Sequence, residues 1–398
     1  MNGKEQLNRW SWKDYIKNSI MLASKIPMWL AQACLLWKPM KTNRMVIYSL
    51  KQHGYSCNLK YLTEYLNREH PGEFEILWVV RNAEDLEALK KRGIPAALIH
   101  SKTHFRYRIQ SKFVVTNDEF YPVFFKRPGQ VYINTWHGAI NYKKIGYAGL
   151  EFTNPIQELI YRMNNPCPDL FVSGSRSFTD TASESFGFPR EIFLESGLPR
   201  NDILCLPGGG LKAQVKDRLG IPAEKKVLLY APTFRKGGVG AGEDLDYRRL
   251  CHTLAQRFGG EWVVLLRQHY FVSQRREGME DLLLDVSGYE DMQELIACAD
   301  CLLSDYSSCM WDFLLTGNPV FVYAPDLKDY TAQDRSFFIP VEKWPYPMAQ
   351  TQEELDEIIH TFDAAAFAQK ASAHRAEFGS RDRGQACRML TASIQKYM

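Results

Sequence analysis

The spacing of short apolar runs restricts this chain's fold more than any other feature. MVIYSL from Met45, EILWVV from Glu75, AALI from Ala96, KFVVTN from Lys112, VYINTW from Val131 and DLFVSG from Asp169 are each separated by longer amphipathic stretches. That is the βα alternation of a doubly wound sheet. The runs are rich in Val and Ile and show no clean polar–apolar alternation, as expected of parallel strands covered on both faces. A second set repeats the architecture without repeating the sequence: KVLLYAP from Lys226, EWVVLLR from Glu261, LLLDV from Leu282, CLLS from Cys301 and PVFVY from Pro319.

Between the sets lies PGGGLKAQVKDRLGIP, with Gly208, Gly209 and Gly210 in succession. A chain of 398 residues is long enough for two cores, and the boundary is placed there, with an amino-terminal Rossmann-like domain over 43–208 and a carboxy-terminal one over 209–398. Helical spacing recurs at Tyr247 to Phe258 and Glu290 to Ala299. The tail from Gln352 to Met398 reads as two or three helices with freedom to cross back to the first domain. The expected fold class is α/β of the GT-B type: two Rossmann-like domains facing a cleft, with ligands held at the carboxyl ends of the strands.

Charge and cysteine usage narrow the partners. A net charge of +3 is small, and no basic block with interleaved aromatics appears, so nucleic acid is set aside. Nine cysteines are an odd number without framework spacing, which suggests free thiols in a reducing, cytosolic compartment. Cys298 and Cys301 form a CxxC with no second pair nearby, so core cysteines are preferred over a metal site. Neither a metal nor a cofactor is expected.

Residues 1–42 form a separate arm. Trp10 to Trp37 is rich in Trp, Met, Leu and Ile, while Lys4, Arg9, Lys13, Lys17, Lys25, Lys38 and Lys41 surround it. Its longest uncharged piece runs from Ile26 to Trp37, short of the about 20 residues that span a bilayer. No small-residue cleavage site follows, as a signal peptide would require. The arm is therefore read as an amphipathic pair lying in an anionic membrane surface. The alternative is a helical arm packed on its own domain or on a partner subunit of a homo-oligomer.

Four segments carry candidate chemistry. In LLSDYSSCMWDF, from Leu302, an apolar strand feeds a helix at Ser307 and Ser308. Free backbone N–H groups and hydroxyls there suit a phosphate, and Asp305 can cap the helix. In NTWHGAINYKKIG, His137 stands at a strand end, where an imidazole can take a proton from a hydroxyl. Gly138 permits close approach, and Lys143 and Lys144 follow. A histidine bonded to a neighbouring carbonyl for structural reasons is the alternative. His269, in LLRQHY, ends a strand of the second domain, so both histidines are expected at one cleft; Arg267 points to the core edge or to the cleft. In APTFR, Pro232 leaves Thr233 and Arg235 at the cleft, and an Arg fork suits phosphate oxygens. In GLPRND, Arg200 and Asn201 are phosphate or acceptor contacts, or a salt bridge at the domain boundary.

NTWHG with KKIG, GLPRND, YAPTFR, LLRQHY, the block from YEDMQELIACADCLLSDYSS to GNPVFVY, DLKDY with Arg335, and DRGQACRML resemble, in the same order, the CDP-glycerol glycerophosphotransferase family of teichoic acid synthesis. The resemblance covers about Met45 to Leu390. It implies the GT-B fold, peripheral attachment to the cytoplasmic membrane face, CDP-glycerol or CDP-ribitol as donor, and a polyprenyl-diphosphate-linked acceptor. Carried onto this sequence, it makes His137 the base for the acceptor hydroxyl and sets Thr233, Arg235, His269, Ser307 and Ser308 around the donor diphosphate. Asp305 is expected to shape the turn, since a carboxylate repels a diphosphate.

The expected reaction is attack of an acceptor hydroxyl on the β-phosphorus of a CDP-alditol, releasing CMP. The rival within enzymes is a GT-B glycosyltransferase or epimerase using a sugar nucleotide. A rival of another class is a membrane-docked scaffold without turnover.

Overall fold

The computed structural model describes residues 12–49, 54–118, 126–149, 155–206, 210–233, 245–268, 281–328, 330 and 337–398. Thirteen strands among them form two wholly parallel sheets. The first contains β1 (Lys41–Tyr48), β2 (Glu75–Val80), β3 (Ala96–Leu98), β4 (Ser111–Thr116), β5 (Val131–Asn134), β6 (Leu170–Ser173) and β7 (Phe193–Glu195), in the order β3-β2-β1-β4-β5-β6-β7. The second contains β8 (Lys226–Ala231), β9 (Trp262–Leu266), β10 (Leu283–Asp285), β11 (Cys301–Ser304), β12 (Val320–Tyr323) and β13 (Met348–Ala349), in the order β10-β9-β8-β11-β12-β13.

Each apolar run of the sequence is a strand, and the unbroken Val, Ile and Leu content has the expected cause: β9, β11 and β12 are buried along their whole length because helices cover both faces. Two strands had no such signal. β7 (FLE) and β13 (MA) have three and two residues, and no apolar run of four or more marks either of them. β1 opens at Lys41, inside the segment read as the arm.

The order of each sheet reverses once, between β1 and β4 and between β8 and β11. Those reversals splay the following loops apart and leave a crevice at the strands' carboxyl ends. Ala231 pairs with Ser304 at the second reversal, so Thr233 and Asp305 leave the sheet side by side.

The tail does return to the first domain. The helix Ala386–Gln395 buries Cys387, Leu390 and Ile394 and packs on the helix Cys57–Glu69. Its first amides, Ala386 and Cys387, donate to the Asp202 carboxylate at 2.9 and 2.8 Å, satisfying N–H groups that a helix start leaves open. Across the junction Lys60 donates to Asp291 and Glu294, both at 2.7 Å.

The arm forms two helices, Trp12–Ala23 and Ile26–Ala33. The first buries none of its residues and rests along the helix Pro155–Asn164; Met28 of the second touches the first sheet's core. No helix among the described residues is long and apolar enough to cross a membrane.

Candidate functional site

β5 ends at Asn134, and the chain turns sharply at Trp136, whose φ of +47° lies in the left-handed region that bulky residues avoid. The turn is held by the Trp136 amide donating to Asn134 Oδ1 at 2.8 Å. It swings His137 out of line with the strand, and the imidazole stacks on the indole of Trp136 with centroids 4.6 Å apart. His137 Nδ1 lies 3.0 Å from the carbonyl of Asn117, which follows β4. Nδ1 therefore carries the proton and donates it, which leaves Nε2 as the basic nitrogen. The structural and the catalytic readings of His137 are thus compatible: the carbonyl bond selects the tautomer a base requires.

The facing wall comes from the second domain. Asp305, fully buried, accepts the Thr233 amide at 2.9 Å and the Thr233 hydroxyl at 2.6 Å, and also the Tyr306 amide. It does not cap the following helix, a correction to the sequence expectation. Its carboxylate is used instead to join the ends of β8 and β11. The helix Cys309–Phe313 has only five residues, so its dipole is weak, and Ser307 Oγ accepts the Cys309 amide at 3.3 Å. Thr233, with both donors given to Asp305, shapes the wall.

Both walls line one hollow of about 240 Å³, bounded by Trp136, His137, Gly138, Ile140, Asn141, Tyr142, Lys143, Ile145, Thr233, Tyr306, Ser307 and Ser308. The approach is close: a Cβ placed on Gly138 would lie 3.8 Å from Ser308 Oγ. Lys143 brings a positive charge, its ammonium 5.3 Å from the centre of the Tyr330 ring, and Tyr330 in turn stacks on Tyr306 at 3.9 Å. A larger hollow of about 430 Å³, which includes Leu314, Arg375, Arg381 and Arg383 in its lining, lies beyond the far end of the short helix and contains none of these groups.

Several expected site residues lie elsewhere. Lys144 is not part of the lining. Arg200 and Asn201 are buried in the domain junction and do not face the cleft: Arg200 pairs with Asp312 at 2.6 Å and Asn201 donates to Asp312 at 2.9 Å. Burial disfavours the charged guanidinium, but the Asp312 carboxylate overrides it and holds the Arg200 pKa above its ordinary value. Of the two readings of GLPRND, the boundary salt bridge is the one observed. Arg267 turns to the carbonyls of Tyr289 and Val286, the core-edge alternative. Arg235, His269 and Arg335 fall outside the described residues.

Sequence reasoning missed Asn141, Tyr142 and Tyr306 as lining groups. Tyr306 lies within the SDYSS segment and was legible there; Tyr142 reaches the site because its carbonyl accepts the Phe338 amide at 2.8 Å, a long-range contact without local signal.

Residues 30–395 match the family model described as CDP-Glycerol:Poly(glycerophosphate) glycerophosphotransferase. The teichoic acid poly(glycerol phosphate) polymerase of Bacillus subtilis (strain 168) is 31% identical over 360 residues, covering 86% of this chain and 45% of that one. The teichoic acid glycerol-phosphate transferase of Staphylococcus aureus (strain NCTC 8325 / PS 47) is 30% identical over 376 residues, covering 89% and 94%. The chain thus spans about half the length of the Bacillus subtilis polymerase and of its Staphylococcus epidermidis counterpart, and nearly all of the transferase. A solved structure of the wall teichoic acid polymerase TagF superposes with a TM-score of 0.80 over 100% of this chain and 98% of that one, at 24% identity, which establishes the two-domain fold.

Proposed function

The chain belongs to the CDP-glycerol:poly(glycerophosphate) glycerophosphotransferase family, and from that membership and the cleft we propose that it transfers an alditol phosphate, glycerol phosphate foremost, from a CDP-alditol to an acceptor hydroxyl in teichoic acid or capsule-type polymer synthesis. The observation that carries the reading is the apposition of His137 and Gly138 with Ser307 and Ser308 across one hollow.

In this reaction the acceptor oxygen forms a bond to the β-phosphorus, the bond from that phosphorus to the CMP oxygen breaks, and CMP leaves with the electron pair. The acceptor proton passes to His137 Nε2, the nitrogen left basic by the Asn117 carbonyl bond. Negative charge grows on the departing phosphate oxygens, and in this reading the Ser307 and Ser308 hydroxyls and the Lys143 ammonium, all part of the hollow's lining, offset it. Arg235 and His269 complete the donor site in this reading, with Thr233 positioning the wall they extend. Arg335 and Lys144 belong to the acceptor approach.

The acceptor in this reading is a polyprenyl-diphosphate-linked molecule or growing polymer, and the chain works as a peripheral protein at the cytoplasmic membrane face. What supports this is the arm: Trp12, Ile16, Ile20, Leu30 and Trp37 are 82, 58, 65, 61 and 76% exposed, with Lys13, Lys17 and Lys38 close by in the sequence, a composition suited to an anionic interface.

Incubation with a soluble acceptor analogue and either CDP-glycerol or CDP-ribitol, read by phosphorus NMR, tests the activity. CMP together with a new phosphodiester resonance is the expected result. No CMP from either donor, or glycoside formation from a sugar nucleotide, would overturn it.

A further inference from the structure

Asn58 is completely buried in the first turn of the helix Cys57–Glu69, far in sequence from every motif above. Its amide is fully engaged. Nδ2 donates to the carbonyls of Thr135 at 3.0 Å and Trp136 at 2.8 Å, and Oδ1 accepts the Arg200 amide at 3.1 Å. Thr135 and Trp136 are the two residues that deliver His137, and Trp136 is the one held at φ +47°. A bulky side chain in that conformation persists only where its surroundings over-determine it. Asn58 does so by gathering two successive carbonyls onto one NH2 group.

The other end of the connection reaches the donor wall. Arg200, whose amide Asn58 holds, places its guanidinium against Asp312 Oδ2 at 2.6 Å. Asn201 and Gln293 donate to the same carboxylate at 2.9 and 3.0 Å. Asp312 sits on the short helix that begins right after Ser308. A continuous, buried set of hydrogen bonds therefore runs from the peptide before His137, through Asn58 and Arg200, to the helix behind Ser307 and Ser308.

We propose that Asn58 is a positioning residue for the transfer reaction: it fixes the left-handed turn that presents His137 and, through Arg200 and Asp312, sets the spacing of that imidazole from the serine wall. The inference rests on the functional reading above for its consequence in turnover, but its geometric content is independent of the substrate. Asn58 is not part of the hollow's lining; it acts through the carbonyls of Thr135 and Trp136. Because the reacting atoms must be held within fractions of an ångström, a shift of about 1 Å in the His137 loop costs on the order of 100-fold in rate.

Two variants and one control separate this role from general support of the fold. Asn58→Ala removes all three bonds. Asn58→Asp keeps the packing and the acceptor for the Arg200 amide, but sets a carboxylate oxygen against two carbonyls. Lys60→Met, on the same helix, breaks a separate interdomain link, to Asp291 and Glu294, without touching the His137 loop. In the intact chain the imidazole nitrogen shifts of His137 are followed against pH by NMR, alongside steady-state CMP release from CDP-glycerol. Either Asn58 variant should displace the His137 titration and lower kcat on the order of 100-fold with little change in donor KM. Lys60→Met should lower the melting temperature and leave the titration in place. A His137 titration unchanged in both Asn58 variants, or moved equally by Lys60→Met, overturns the proposal. Failure of the wild-type chain to release CMP overturns the functional reading instead, and the NMR comparison still decides the role of Asn58.

Discussion

Asp305 accepts both donors of Thr233, the amide at 2.9 Å and the hydroxyl at 2.6 Å, and so ties together the two strand ends at the order reversal of the second sheet. The buried carboxylate is compensated by oriented N–H and O–H dipoles. Asp305→Asn turns an NH2 group toward those donors. Its expected cost is about 1 to 3 kcal/mol of stability from buried donors left unmet, with a raised donor KM because the wall at Thr233 loosens. Urea denaturation and donor saturation curves check both parts.

His137→Ala should reduce CMP release by about 100- to 10,000-fold, the range for a lost general base. Donor affinity should stay near that of the wild type, since His137 acts on the acceptor hydroxyl. Calorimetric titration with CDP-glycerol beside a turnover assay reads the split. Wild-type turnover in this variant would remove His137 from the mechanism.

Gly138 distinguishes a close approach from a backbone requirement. A Cβ there meets only ordinary contacts, 3.5 Å from the Ile140 carbonyl and 3.8 Å from Ser308 Oγ, so Gly138→Ala should fold and bind the donor. Gly138→Leu extends its side chain into the Ser308 wall and should abolish donor binding while the melting temperature falls little. Gly146 is the opposite case: at φ +58°, with a Cβ 2.6 Å from the Ser185 carbonyl, Gly146→Ala should itself destabilise.

Two kinds of buried group give the stability opposite pH dependences. Burial pushes the Asp382 carboxyl up to about 7, against the pull of the Leu198 amide. Its folded value lies above the unfolded one of about 3.9, so its contribution is full below about pH 4 and is lost as pH rises through 7. Burial brings His104 down to about 3 and His374 to about 4, below the unfolded value of about 6.5. Their contribution is full above about 6.5 and lost as pH falls toward 4. Urea midpoints from pH 4 to 8 test this: the advantage of wild type over Asp382→Asn should shrink with rising pH, and that over His104→Gln should grow.

The arm predicts a lipid-dependent partition. Replacing Trp12, Ile16, Ile20, Leu30 and Trp37 with Ser should abolish sedimentation with anionic vesicles and leave turnover of a soluble acceptor analogue intact, because none of the five lines the cleft. Equal sedimentation of both proteins would assign the exposed face to another surface.

Legibility followed the range of the interactions. The eleven strands marked by apolar runs could be read because burial on both faces needs only local composition, and SDYSS could be read because a strand feeding a helix is a local event. GLPRND was readable only to a pair of alternatives: whether Arg200 met a ligand or Asp312 depends on a residue more than a hundred positions away. Asn58 gave no signal at all, since an asparagine at a helix start is ordinary and its partners lie 77, 78 and 142 positions distant.

By itself, then, the sequence determined two doubly wound sheets, the residue types at their strand ends, and a basic apolar arm, all consequences of patterns a few residues long. The tertiary structure alone decided which strand ends meet, that Asp305 holds Thr233 and does not cap a helix, and that Arg200 closes the junction. The physical reason is that buried polar groups must find partners wherever the fold supplies them, and the choice among distant partners is made by packing of the two domains, which no local pattern encodes.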